Sequence, residues 1–191
     1  VKMIDAREEL IAGRQVRDTY FTTDIHWNPW GGYLGYKVLM DRMVQDHPEL
    51  GLPCRPEDYG VEAIENDQGD LALQLALNDK LTRTIYMMLP KDAPRMKELP
   101  ERGLPGEAFF KYRPVFTQGP DPQAPKLLMF RDSFAVYLIP YLGEHFREAV
   151  YVWSPMFIPD IVEKEKPDIV VQEVMELFLS DLLHDKVRDN I

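Results

Sequence analysis

The chain has a single cysteine, fewer basic than acidic residues and no long apolar run, and each of these features argues against a class of protein. Its one cysteine, Cys54, cannot form a disulfide within the chain. No apolar stretch approaches the roughly 18 residues of a membrane-spanning helix. The 22 basic residues against 32 acidic ones give a net charge of −10. This charge disfavours nonspecific binding of DNA or RNA, which depends on Lys and Arg contacts to phosphate, so we predict no nucleic-acid partner.

The length and the composition suit one globular domain. The 191 residues are 45% hydrophobic and 28% charged, which is ordinary for a folded protein with a sizeable core. Eight prolines fall within about 90–125, and we predict an irregular insertion there, with a short strand over 108–112. Such a stretch is either a functional loop or a mobile surface segment, and both interpretations stay open. We predict a single domain over 1–191.

The spacing of apolar residues predicts an alternation of helices and strands in the second half of the chain. In the first half, the predicted elements are helices over 3–14, 31–46 and 70–77, a strand-like entry over 15–28 and a short strand over 59–64. From residue 126 onward, the predicted order is strand 126–130, helix 134–146, strand 149–153, helix 158–166, strand 168–171 and helix 176–184. This alternation favours an α/β fold, in which a mainly parallel sheet has helices on both faces.

Two short segments together contain the three residue types of a Ser-His-Asp triad. Asp24 precedes His26 by two positions, and Ser133 lies between a predicted apolar strand and a helix. Triad chemistry needs a hydroxyl nucleophile, an imidazole that takes its proton and a carboxylate that fixes the imidazole tautomer. The pattern therefore predicts Ser133 as nucleophile, His26 as general base and Asp24 as the residue that orients His26. The alternatives are a helix-capping serine with a structural histidine, or an inherited but inactive site.

Four further residues are candidates for substrate binding or for an oxyanion contact. Arg131 contacts a carboxylate or an oxyanion, or it is a surface charge. Trp27 stacks on a sugar ring or packs in the core, because large aromatic side chains serve both purposes. Asn28 anchors the histidine loop, and Tyr137 either faces a cleft or is buried.

Metal binding has little support in the sequence. The other histidines, His47, His145 and His184, have no partners at the spacing of metal ligands. We therefore predict that the protein binds no metal and no other cofactor.

Four segments carry a resemblance to a known family. They are Thr-Asp-Ile-His-Trp-Asn-Pro-Trp-Gly-Gly at 23–32, Gly-Asp-Leu-Ala at 69–72, Arg-Asp-Ser-Phe at 131–134 and Lys-Pro-Asp-Ile-Val-Val-Gln-Glu-Val at 166–174. The triad order Asp, His, Ser differs from the order Ser, Asp, His of α/β-hydrolases. The segments resemble the SGNH-hydrolase-like domain of the alginate O-acetyltransferase group and its DHHW-type relatives, well over 20–45 and 126–180 and weakly over 69–77.

The resemblance implies a fold, an activity and a cellular location. The fold is flavodoxin-like and SGNH-type, and we expect it to be truncated at the N-terminus because strands expected before residue 15 are missing. The resemblance therefore implies that this domain forms part of a longer protein. The activity is that of a serine-dependent O-acetyltransferase or acetylesterase acting on a polysaccharide, with an acyl donor and partner proteins of an exopolysaccharide modification complex such as that of alginate. The location is the bacterial periplasm or the cell exterior, with any signal or anchor outside this chain. The alternative is a noncatalytic carbohydrate-binding or scaffold domain of such a complex.

One departure from the family pattern concerns the oxyanion hole. Ordinary SGNH enzymes have an Asn at the end of the third strand, where this sequence reads Gln-Glu-Val-Met-Glu at 172–176. An Arg that the family often has nearby is missing as well. We therefore expect the Ser133 amide and the Arg131 side chain to stabilise the oxyanion instead.

Overall fold

The computed structural model describes residues 1–106 and 112–179, which fold into two compact units. The first unit consists of Val1–Pro94 and Tyr137–Tyr141, and the second of the described residues within 95–136 and 142–179. The α-helices are α1 (Arg7–Gly13), α2 (Pro29–Asp46), α3 (Asp70–Gln74), α4 (Ile139–Leu142) and α5 (Pro159–Glu165). The strands are β1 (Tyr59–Gln68), β2 (Thr82–Pro90), β3 (Lys97–Glu98), β4 (Val115–Gln118), β5 (Lys126–Arg131), β6 (Glu148–Trp153) and β7 (Ile169–Gln172). Short 3-10 helices cover Pro48–Leu50, Pro56–Asp58, Phe134–Tyr137 and Glu176–Phe178.

The start of helix α2 fixes the loop that precedes it in the first unit. Pro29 is its first residue, and the fixed φ of proline suits that position. Asn28 caps the helix, because its Oδ1 accepts a hydrogen bond from the Gly31 amide at 3.0 Å. The Trp27 ring packs so closely on the helix that a Cβ at Gly35 would lie 2.8 Å from it. The glycine therefore allows the loop to approach the helix.

Strands β1 and β2 form an antiparallel pair in the first unit. Their register pairs Ile64 with Ile85, and an irregularity in β1 between Ile64 and Asp67 shifts the pairing, so that Asp67 lies opposite Arg83. Helix α3 begins at Asp70, directly after β1 and Gly69. The pair of strands therefore brings Arg83 close to the end of β1 and the start of α3.

The second unit contains a five-stranded sheet in the order β3-β4-β6-β5-β7. Strand β5 is parallel to both β6 and β7, whereas β4 is antiparallel to both β3 and β6. The position of β5 between β6 and β7 explains its continuous apolar run, because its residues 127–130 are fully buried. The core around it consists of Leu104, Phe116, Leu128, Phe130, Val150, Val152 and Ile161.

The predicted α/β class is confirmed, but a mainly parallel sheet is not. Strands β4 and β3 arise within the proline-rich stretch at about 90–125 and add two antiparallel pairings to the sheet, while β1 and β2 form a separate antiparallel pair. The single domain over 1–191 with an insertion stays a prediction. Residues 108–111 of the predicted strand lie outside the described residues, and Tyr112 is in no strand. None of the helices in the described ranges is long and apolar enough to cross a membrane.

Two local predictions differ from the structure, one observed strand was not predicted, and one predicted helix is described only in part. The strand-like entry over 15–28 contains only an isolated bridge between Tyr20 and Trp27. The helix predicted over 134–146 is divided into a 3-10 helix and the short α4, and Pro140 lies within α4. Strand β2 has no counterpart among the predicted elements. Of the helix predicted over 176–184, the described residues contain a 3-10 helix at Glu176–Phe178 and a helical residue at Leu179, and residues 180–184 lie outside the described part of the chain.

Candidate active site

Asp24 and His26 form a close pair within the first unit, as their spacing predicts. The Asp24 Oδ1 atom lies 2.6 Å from His26 Nδ1 and accepts a second hydrogen bond from the His26 amide at 2.9 Å. An ionised carboxylate only accepts hydrogen bonds, so Nδ1 carries the proton of a neutral ring. The Nε2 atom is then the basic nitrogen, which is the tautomer that a general base needs.

The second oxygen of Asp24 is held as well. Its Oδ2 accepts a hydrogen bond from the Asp70 amide at 3.3 Å and lies 2.9 Å from Arg83 Nη1. Burial acts to raise the pKa of Asp24, but the hydrogen bonds from His26 and the Asp70 amide, with the Arg83 charge, outweigh it and lower the pKa to about 2. Asp24 is therefore ionised throughout the neutral range and remains a fixed acceptor for His26.

Arg83 is itself held in place on three sides. Its Nε donates to Asp67 Oδ2 at 2.6 Å, and its guanidinium lies 3.6 Å from the centre of the Phe21 ring. Only 10% of the side chain is exposed. A guanidinium fixed by an aromatic face and a second carboxylate holds Asp24 in one orientation. Arg83 thus positions Asp24, a role that the sequence analysis missed.

The loop that contains Asp24 is tied to the start of α3. The Asp70 Oδ1 atom accepts a hydrogen bond from the Ile25 amide at 3.1 Å, and the Thr23 carbonyl accepts from the Leu71 amide at 3.1 Å. A Cβ at Gly69 would lie 1.9 Å from the same carbonyl. Only glycine permits this approach, which explains the Gly-Asp pair at 69–70. The Gly-Asp-Leu-Ala segment was the signal that could have identified Asp70.

Asp24, His26 and Asp70 also form the group of potential metal ligands found within the described ranges. Their ligand atoms lie within 4.8 Å of one another. The Arg83 cation lies 2.9 Å from Asp24, and His26 Nδ1 is occupied by its contact with Asp24. A metal ion at this position would have to compete with both. The absence of a metal cofactor stays a prediction.

The aromatic and amide candidates of the first unit have packing roles. Trp27 is 8% exposed and packs on the glycines of α2, which is the core interpretation. Asn28 caps α2, and its Nδ2 donates to the Asp18 carbonyl at 2.6 Å, so it anchors the histidine loop. Tyr137 is partly buried: its ring centroid lies 6.3 Å from that of Phe21, and burial raises its pKa, although the Arg83 charge opposes this shift. Any contact of these residues with a substrate stays a prediction.

Ser133 lies in the second unit, two residues after the end of β5. The residue before it, Asp132, is buried. Its carboxylate accepts hydrogen bonds from the Phe134 amide at 2.8 Å and from the Met175 amide at 2.7 Å. The Ser133 carbonyl accepts from the Val136 amide at 3.3 Å, which begins the 3-10 helix. Ser133 is therefore half-buried on a turn fixed by the Asp132 carboxylate.

Arg131 is buried, contrary to the alternative of a surface charge. The residue is 3% exposed, its guanidinium lies 4.2 Å from the centre of the Trp153 ring, and its Nη1 donates to the Asp132 carbonyl at 3.2 Å. Burial lowers the pKa of Arg131, although the nearby Glu173 and Asp132 oppose this shift. Its Nε has no hydrogen-bond partner among the described residues. The side chain is therefore a fixed donor near the end of β5.

Comparisons with known proteins agree with the resemblance. The family described as "SGNH hydrolase-like domain, acetyltransferase AlgX" matches residues 1–104. A DHHW family protein from Eubacterium siraeum has a similar fold, with a TM-score of 0.67 at 18% identity over 89% of this chain and 63% of that one. PatB1 from Bacillus cereus has a TM-score of 0.68 at 17% identity over 93% of this chain and 70% of its own. No curated protein matches the sequence.

A second structure of the Bacillus cereus protein PatB1 contains a sulfonyl adduct. It has a TM-score of 0.66 at 17% identity and covers 91% of this chain and 67% of that one. At these identities the likenesses establish the fold alone. The chain spans 63% of the length of the Eubacterium siraeum protein.

Proposed function

Because the chain belongs to the family of SGNH hydrolase-like domains of the acetyltransferase AlgX, we propose that it is a serine-dependent O-acetyltransferase or acetylesterase. The observation that carries the proposal is the 2.6 Å contact between Asp24 Oδ1 and His26 Nδ1. A buried, ionised carboxylate on Nδ1 is the arrangement that makes an imidazole a general base. Ser133, on a fixed turn after a buried strand, is the proposed nucleophile.

In the proposed reaction, an acetyl group passes through Ser133. The Ser133 hydroxyl attacks the acetyl carbonyl while His26 Nε2 takes its proton, and the Ser133 amide with Arg131 stabilises the oxyanion. Collapse of the intermediate breaks the ester bond, and the leaving oxygen receives the proton from His26. A sugar hydroxyl or a water molecule then gives its proton to His26 and attacks the acetyl-serine, and His26 returns that proton to the departing Ser133 oxygen, which regenerates the hydroxyl.

The proposed acceptor is a polysaccharide. Two observations support it: the matched family is that of the acetyltransferase AlgX, and the sequence resembles the alginate O-acetyltransferase group. We propose a role in exopolysaccharide modification, in the periplasm or outside the cell, with an acyl donor and partner proteins of a modification complex. Transfer requires that water be kept from the acetyl-serine, whereas hydrolysis requires that water reach it. The ratio of acetylated sugar to free acetate therefore distinguishes a transferase from an esterase.

The direct test is acetylation of the intact protein by p-nitrophenyl acetate, followed by peptide mass spectrometry. The chain has three serines, Ser133, Ser154 and Ser180, which makes the assignment of the acetyl group simple. We expect acetyl on Ser133 alone and no turnover by Ser133→Ala. A wild-type protein that neither turns over the ester nor becomes acetylated at Ser133 would contradict an enzymatic function. Phenylmethanesulfonyl fluoride is a second probe, since a sulfonyl adduct of PatB1 is known.

A further inference from the structure

Around Ser133, the ends of β5 and β7 are joined by reciprocal contacts of two carboxyl groups. The Glu173 Oε2 atom accepts a hydrogen bond from the Asp132 amide at 3.0 Å. In the opposite direction, Asp132 Oδ2 accepts one from the Met175 amide at 2.7 Å. The Glu173 amide also donates to the Phe130 carbonyl at 2.9 Å. At each strand end, a side-chain carboxyl group therefore accepts a hydrogen bond from a backbone amide at the end of the other strand.

We propose that Glu173 is a positioning residue for Ser133, because it fastens the turn after β5 to the end of β7. Ser133 lies between two residues whose amides are both held by carboxyl groups, Asp132 by Glu173 and Phe134 by Asp132. These contacts are to backbone amides, so Glu173 acts through the backbone and not on the reacting hydroxyl. This role of Glu173 rests on the proposed function, in which Ser133 is the nucleophile.

The protonation state of Glu173 is consistent with this role. Burial is the largest cause that raises the pKa of Glu173 to about 8, and the Asp132 carboxylate raises it further, while Arg131 opposes the shift. Asp132 and Arg131 are the charged groups that act most strongly on this carboxyl. At neutral pH Glu173 is therefore mostly protonated, which limits its repulsion from the Asp132 carboxylate. Above about pH 8 Glu173 is ionised, and its repulsion from Asp132 loosens the turn.

The test compares Glu173→Ala and Glu173→Gln with Glu176→Ala, a matched loss of an exposed acid three positions along the chain. The measurement is the rate constant for labelling of Ser133 by phenylmethanesulfonyl fluoride at pH 7, followed by mass spectrometry. We expect Glu173→Ala to label at least about tenfold more slowly, because the Asp132 amide loses its acceptor. Glu173→Gln stays within about threefold of wild type, since its amide oxygen still accepts the hydrogen bond. Glu176→Ala labels at the wild-type rate.

The pH profile separates positioning from simple structural support. A group with a raised pKa loses its proton as pH passes that value, so the wild-type labelling rate falls between pH 7 and 9 relative to Glu173→Gln, which cannot ionise. Equal pH profiles of wild type and Glu173→Gln overturn the proposal. A folded Glu173→Ala that is labelled at the wild-type rate overturns it as well. If Glu173→Ala does not fold, the pH profiles of wild type and Glu173→Gln still test the proposal.

Failure of the proposed function is distinguishable from failure of this inference. If Ser133 of the wild type is not labelled, the nucleophile is wrong, and hydrogen–deuterium exchange over 130–136 then tests the contacts alone. Faster exchange in Glu173→Ala, with wild-type exchange in Glu173→Gln, supports the fastening of the turn. Unchanged exchange in a folded Glu173→Ala overturns it.

Discussion

At the scale of single residues, the candidate site depends on one carboxylate with several partners. Asp24 binds His26 through one oxygen, and the Asp70 amide and Arg83 through the other. The contact with His26 was predictable, because a separation of two residues limits where the side chains can lie. The contact with Arg83 was not, because it depends on the pairing of β2 with β1, which leaves no local pattern around Asp24.

We predict that Asp24→Asn lowers kcat for acetyl ester hydrolysis on the order of 10⁴-fold, as in the best-studied serine triad. The amide can present an N–H to His26 Nδ1, which favours the wrong tautomer and removes the charge that stabilises the imidazolium. Steady-state kinetics of the purified variant measure the effect. Asp41→Asn is the matched control, because Asp41 pairs with Lys37 on the exposed face of α2. Activity of Asp24→Asn within a few-fold of wild type would mean that Asp24 is only structural.

At the scale of secondary-structure elements, the site depends on how closely loops approach helices. The sequence predicted α2 and the buried strands β5 and β6 well, because long periodic or continuous apolar runs determine them. It did not predict β2, whose residues alternate poorly between buried and exposed, nor the antiparallel β4, which lies among prolines. Those strands form through pairing with partners distant in sequence, and single-sequence periodicity does not record such pairing.

We predict that Gly35→Ala destabilises the protein by about 1–3 kcal/mol, the usual cost of overpacking. Alanine favours helices over glycine by about 1 kcal/mol, but its Cβ would lie 2.8 Å from the Trp27 ring, next to His26. Gly60→Ala is the control, since the nearest atom to its Cβ would be 3.9 Å away. Chemical denaturation measures both variants. A Gly35→Ala protein as stable as wild type would show that the ring moves aside without cost.

At the scale of the whole molecule, the residues of the proposed triad are divided between two units. Asp24 and His26 belong to the first, Ser133 to the second, and the family match over residues 1–104 covers the first pair. The sequence supplied all three residue types and their order, which is why the family could be inferred from short segments. The central claim of the proposed function is that His26 is the general base for Ser133.

The most direct test of that claim is the labelling rate of Ser133 by phenylmethanesulfonyl fluoride in wild type and in His26→Ala, both checked for folding by circular dichroism. General-base assistance contributes about 10²–10⁴-fold, so we predict that labelling in His26→Ala is slower by at least about 100-fold. The control is His47→Ala, which removes a histidine beside the exposed Glu49 and should label at the wild-type rate. Labelling of Ser133 in a folded His26→Ala at the wild-type rate would contradict the account.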